Sequence, residues 1–177
     1  RAAAARPDAP PLSAVPPEAA RAGFRASVVA GLGEDYVPIE LAEVRDSLIA
    51  GVPTRVYRPA APGALPIVAF AHAGGFVIGD LESHDEICRF LADALPAVVV
   101  AVDYRLAPEN PYPAAADDYC AVVGWLGRHA GDLGADPARL AVVGDSAGGT
   151  LAAAAALRAS AADGPPIAAL AIAYPLT

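Results

Sequence analysis

Ser146 lies in the run VVGDSAGGTL, Val142 to Leu151, with Gly144 two residues before it and Gly148 two residues after. A serine framed this way suits nucleophilic attack on a carbonyl carbon, with an acyl-serine intermediate. The reason for the glycines is steric. A sharp strand-to-helix turn holds the serine in a strained backbone conformation and points its hydroxyl outward. The strand before and the helix after then pass so closely that side chains two residues either side collide. Gly144 and Gly148 remove those side chains, and Gly149 extends the clearance. The turn also sets the Ala147 N–H at a helix N-terminus, where end donors and the macrodipole favour a developing oxyanion. The plain alternative is a tight glycine turn whose serine only caps the helix.

A second segment bears on that choice. His72-Ala73-Gly74-Gly75-Phe76 follows an apolar run that ends near Ala71. A flexible loop at that strand's edge offers more backbone N–H groups to the same oxyanion, each worth about 3 to 4 kcal/mol in the transition state. His72, at the foot of the loop, is expected to bond backbone groups and hold the loop's shape rather than act as a base.

Activation of the serine is harder to find. A hydroxyl needs a base to take its proton and an acid to orient that base. After Ser146 the chain has Asp163 as its one carboxylate and no histidine; His84 and His129 both precede it. Those two lie in helical stretches, where solvated or capping roles are expected.

The elements that would carry these residues follow from the apolar pattern. Pro66–His72, Ala97–Tyr104, Arg139–Ser146 and Pro166–Pro175 are short, continuous apolar runs, as in strands covered on both faces. Helical stretches separate them: Ser83–Leu95, Ala114–His129 and Ala147–Ala159. This rhythm gives an α/β fold with a mostly parallel sheet and right-handed crossovers. Upstream, a helix over Pro17–Ala30 is opened by proline and closed by Gly31. Strands follow near Ile39–Ile49 and Val52–Arg58, joined by a turn at Gly51. Residues 1–16, rich in Ala and Pro, are expected to pack loosely.

Composition sets the outer limits. The 177 residues suffice for one domain, and a net charge of −8 disfavours a nucleic-acid or anionic-membrane partner. The longest apolar run, Ile167–Leu176, has ten residues, too few for a membrane span. With no signal-peptide pattern at the N-terminus, a soluble cytoplasmic protein is expected. Cys88 and Cys120 show no pairing or metal spacing and are expected to be small buried hydrophobes.

Taken in order, HAGGFVIGD (His72–Asp80), VDYRLAPENPYPAAADD (Val102–Asp118), GDSAGG (Gly144–Gly149) and the closing YPLT resemble the hormone-sensitive-lipase family of α/β-hydrolases. Coverage runs from about Val56 to Thr177. The resemblance implies a partial α/β-hydrolase fold, with flanking helices and an N-terminal helical cap segment. Residues 1–45 would be tail and cap, and 46–177 the N-terminal part of the core. It implies Ser146 as nucleophile and Ala73, Gly74 and Ala147 as oxyanion donors. His72, Gly75, Gly144, Asp145, Gly148 and Gly149 would shape the motifs, and Arg105 and Glu109 would form a packing ion pair. Ala73 stands where the family has glycine; a positive φ there would cost about 1 kcal/mol or more.

The implied activity is hydrolysis of short-chain carboxylic esters, with a small ester as partner and no metal or organic cofactor. Acid and base are expected downstream of this chain. Together with the absence of methionine, the start at Arg1 and the stop on YPLT, this makes a fragment of an esterase the expected reading. The alternative is a complete, non-catalytic protein of the same fold that binds a small ligand. The last strand, Ile167–Tyr174, is apolar on both faces, and as a bare edge it is expected to favour homo-oligomers.

Overall fold

The computed structural model describes residues 14–161 and 164–176. Residues 1–13, Ala162, Asp163 and Thr177 lie outside the described residues. Helix α1 spans Pro17–Leu32, and strands β1 (Glu43–Ile49) and β2 (Val52–Arg58) form an antiparallel hairpin. Then β3 (Leu65–Ala71), α2 (Asp85–Ala94), β4 (Val98–Val102), α3 (Ala114–His129), β5 (Ala135–Asp145), α4 (Ala147–Ala161) and β6 (Ala169–Ala173) alternate along the chain.

The six strands lie in the order β1-β2-β4-β3-β5-β6. Strands β4, β3, β5 and β6 run parallel, and the hairpin joins antiparallel through β2. The both-faced apolar runs explain this arrangement. In β3, Ile67, Ala69 and Ala71 pack with Tyr119, Val122, Leu126 of α3 and Leu151, Ala152 of α4. Val68 and Phe70, on the other face, pack with Cys88 and Ala92 of α2. All five residues of β4 are buried. Each fully buried valine there contributes about 1.5 to 3 kcal/mol of transfer free energy. Cys120, in contrast to Cys88, is only half-buried.

Several boundaries differ from the sequence reading; α2 begins at Asp85 rather than Ser83, and β6 spans Ala169–Ala173 rather than Pro166–Pro175. Helix α1 runs past Gly31 and ends at Gly33, which takes φ +87°. Glycine weakens a helix interior by only about 1 kcal/mol, and Gly33 takes a positive φ that glycine adopts without strain. Strand β5 starts at Ala135 rather than Arg139, pairing with Leu65 across a register shift. Asp136 caps its own turn through the Ala138 N–H, which is why Asp-Pro-Ala-Arg reads as a loop. Strand β1 begins only at Glu43.

No helix among the described residues is long and apolar enough to cross a membrane. The parallel strands point their C-terminal ends the same way, so the loops after β3, β4 and β5 converge at one edge of the sheet. That edge carries the chemistry-bearing residues.

Candidate active site

Ser146 occupies the junction between β5 and α4 with φ +51°, a region that non-glycine residues rarely adopt. Its N–H donates to the Ala173 carbonyl at 2.8 Å, and its own carbonyl accepts from the Thr150 N–H at 3.2 Å. The strained turn is therefore fixed from both β6 and the first turn of α4. The side chain is half-buried, and no side chain among the described residues hydrogen-bonds its hydroxyl.

The flanking glycines are required by contact. A Cβ on Gly144 would strike the Gly148 backbone carbonyl and lie 2.8 Å from the Gly149 nitrogen. One on Gly148 would strike the Ala71 carbonyl and come within 2.7 Å of the His72 oxygen. Gly148 thus lets α4 press its N-terminus against the end of β3. That close approach sets Ser146 and Ala147 beside the loop that follows β3. Ala147 is fully buried, and as the first residue of α4 its N–H has no intrahelical acceptor.

The loop begins at His72, which is 2 % exposed. Its Nδ1 lies 2.7 Å from the Ala73 carbonyl, and its ring stacks on Tyr104 at 4.2 Å. Tyr104 Oη donates to the His72 carbonyl at 2.7 Å. His72 thus bonds backbone and packs on Tyr104 at the foot of the loop. Gly74, Gly75, Phe76 and Gly79 all take positive φ, whereas Ala73 does not. Alanine in place of the family's glycine therefore adds no backbone strain. The turn closes on the Gly74 carbonyl, which accepts from the N–H groups of Val77 and Ile78, each at 3.0 Å.

The Ala73 N–H, expected to face an oxyanion, donates instead to His84 Nε2 at 3.3 Å. His84 is accordingly neither solvated nor a cap. It packs beside the rings of Phe24, Phe70 and His72 and makes no side-chain cap to α2. Burial holds its pKa below the usual imidazole value, with Asp145 opposing the shift. Asp145 accepts from Tyr174 Oη at 3.3 Å through Oδ2, while its Oδ1 is buried without a partner among the described residues. His129 stands apart at the end of α3, stacked on Trp125 at 4.9 Å and 3.6 Å from Asp132.

The expected Arg105–Glu109 pair is not formed. Arg105 grips Asp118 with two nitrogens, at 2.7 to 3.1 Å, across the start of α3. Glu109 is bound instead by Arg21 of α1. A partner 88 residues away leaves no local signal, so the nearer residue drew the assignment.

Beside the loop opens an apolar cavity of about 500 Å³, lined among others by Gly75, Phe76, Tyr112, Thr150, Leu151 and Ala154. Its volume falls in the range of small-molecule sites, roughly 300 to 1,000 Å³. Among the described residues no three or more His, Cys, Asp or Glu side chains group as metal ligands.

Burial of His72 has a consequence for stability. Desolvation lowers its pKa from 6.5 to about 4. The unfolded chain therefore takes up this proton first as pH falls. Stability linked to His72 is complete above about pH 6.5 and lost progressively down to about pH 4, a total of about 3 kcal/mol. Denaturant unfolding between pH 7 and 3.5 should show this decline, and H72Q should flatten that part of it. Parallel declines in both proteins would contradict the assignment.

Comparison with known proteins agrees with the geometry. Residues 68–177 match the α/β-hydrolase fold family. The esterase LipI of Mycobacterium tuberculosis is 50% identical over 127 residues, covering 70% of this chain and 40% of that protein. Ethyl acetate hydrolase of Pseudomonas putida is 40% identical over 149 residues, 80% of this chain and 46% of that one. The ester-hydrolase EH1AB1 from the Lake Arreo metagenome, solved with a bipyridine phosphonate derivative, superposes with a TM-score of 0.87 at 40% identity. It matches 96% of this chain, which spans 55% of its length. This chain thus spans about half the length of the proteins it matches. On sequence, fold and motif order alike, the chain belongs to the α/β-hydrolase fold family, in the branch named for hormone-sensitive lipase.

Proposed function

We propose that the protein hydrolyses small carboxylic esters through an acyl-serine intermediate at Ser146. The observation that carries this reading is the strained Ser146 turn, φ +51°, packed through Gly148 against the glycine loop after β3. Ser146 Oγ attacks the ester carbonyl carbon, and its proton passes to a base. The N–H groups of Gly74 and Ala147 stabilise the oxyanion, joined by that of Ala73 once His84 releases it. Collapse expels the alcohol, and water then cleaves the acyl-serine to the free acid.

In the resting arrangement the three histidines are engaged elsewhere, and we assign the base and its acid to residues downstream of this chain. The cavity beside Phe76 and Leu151 is apolar and takes the hydrocarbon part of a short ester. The chemistry calls for neither metal nor organic cofactor, and we place it in the cytoplasm. Self-association into homo-oligomers through β6 is consistent with its exposed residues.

The test is turnover of p-nitrophenyl acetate, butyrate and palmitate by the full-length gene product beside S146A. The short esters should turn over fastest. Loss of the nucleophile should lower kcat by about 10⁶. Palmitate preferred over butyrate would contradict the short-chain substrate, and an active S146A the mechanism. Tight binding of a small ester without turnover would favour the ligand-binding alternative.

A further inference from the structure

Helix α1 docks with little apolar burial: of its 16 residues only Ala20 is buried. Phe24, Val28 and Leu32 are half-buried on the same face, with Phe24 against His84, and two arginines one turn apart add the polar ties. Arg21 Nε donates to the Val77 carbonyl at 2.8 Å, and Nη2 to the Ala107 carbonyl at 2.9 Å. Nη1 and Nη2 also reach the two carboxylate oxygens of Glu109 at 3.0 and 2.6 Å. Arg25 binds Asp80 at 2.8 Å.

These contacts fall on the glycine loop. Val77 closes the turn on Gly74, and the Ala107 N–H donates to the Phe76 carbonyl at 2.8 Å. One guanidinium therefore grips the loop at Val77 directly and at Phe76 through Ala107. Phe76 itself has φ +63°, and such a conformation persists only where its surroundings enforce it. The planar fork of arginine makes four hydrogen bonds here, to two carbonyls and both carboxylate oxygens, one more than the three donors of a lysine ammonium allow. The Glu109 side chain is 50% exposed, so the ion pair alone adds little.

We infer that Arg21 is a positioning residue that couples the N-terminal helix to the oxyanion loop, aiming the loop's N–H groups only while α1 is docked. Its kinetic consequence rests on the ester-hydrolysis reading; its structural consequence does not. The experiment compares R21Q, R21K and E109Q in the full-length gene product, by amide hydrogen exchange of residues 73–79 and by kinetics with p-nitrophenyl butyrate.

Both Arg21 variants should speed exchange in that loop about tenfold or more while α3 and α4 stay protected. Their kcat should fall about 10- to 100-fold with KM little changed, because displaced donors weaken transition-state stabilisation more than ground-state binding. E109Q should leave both readouts near wild type. Unchanged exchange at 73–79 would overturn the inference. So would exchange raised throughout the fold with a falling Tm, a rise in KM alone, or E109Q matching R21Q. Absence of ester turnover in the wild type would count against the ester reading alone, and the exchange comparison would still decide the role of Arg21.

Discussion

The 177-residue polypeptide by itself should hydrolyse p-nitrophenyl butyrate no faster than its S146A variant. The serine is in place, but each of the three histidines is engaged elsewhere among the described residues. His72 is stacked on Tyr104 with Nε2 buried, His84 Nε2 is occupied by the Ala73 N–H, and His129 sits beside Trp125 and Asp132. Removing the base of a serine triad lowers kcat by about 10⁶, leaving only what oxyanion stabilisation and binding provide. Initial rates for both proteins, taken at equal concentration, check this. Ser146-dependent turnover well above the control would mean that one of these imidazoles is recruited, and H84A would be the first variant to identify it.

The second large effect concerns Gly148. Its φ is unremarkable for an L-residue, so the cost of a side chain there is contact alone. The added Cβ of G148A would meet the carbonyls of Ala71, the last residue of β3, and His72, the first of the loop; both are backbone and cannot yield as a side chain would. Overpacking of this kind costs about 3 kcal/mol or more. In a domain of this size that lowers Tm by about 6 to 12 °C. The elbow also moves away from the glycine loop, so activity should fall even where the protein still folds. G149A is the control: its Cβ would sit 3.2 Å from the Gly144 oxygen and 3.4 Å from that of Ala173, close enough to need only a small shift. Its stability should change by about 1 kcal/mol or less, since alanine also favours the helix. Equal effects from the two substitutions would contradict the packing argument.

Much of the core could be read from the sequence because both-faced apolar runs have few structural solutions. The reading of Ala114–His129 as a helix matches α3 residue for residue, and Val52–Arg58 matches β2. The serine turn was legible because three glycines around one serine have a steric reason that context can check. What escaped was of two kinds. Backbone angles are set by closure of a whole loop, so the sequence placed strain at Ala73 when the structure puts the positive φ at Gly74 and Gly75, which tolerate it, and the strain at Phe76. Long-range polar partners leave no periodic trace. Arg21 reads as one more charge on a helix surface, yet its contacts lie 56 to 88 residues away. His84 likewise reads as a helix-start residue and proves to be a ring packed under the loop.

The central claim is that Ser146 is the activated nucleophile. The most direct measurement is to treat the full-length gene product with a fluorophosphonate, digest it and map the adduct by mass spectrometry. Such probes capture only a serine whose hydroxyl is activated for attack. The account predicts a single adduct on Ser146, absent in S146A. An adduct on Ser13, Ser27, Ser47, Ser83 or Ser160, or an enzyme that turns over esters while Ser146 stays unlabelled, would contradict it.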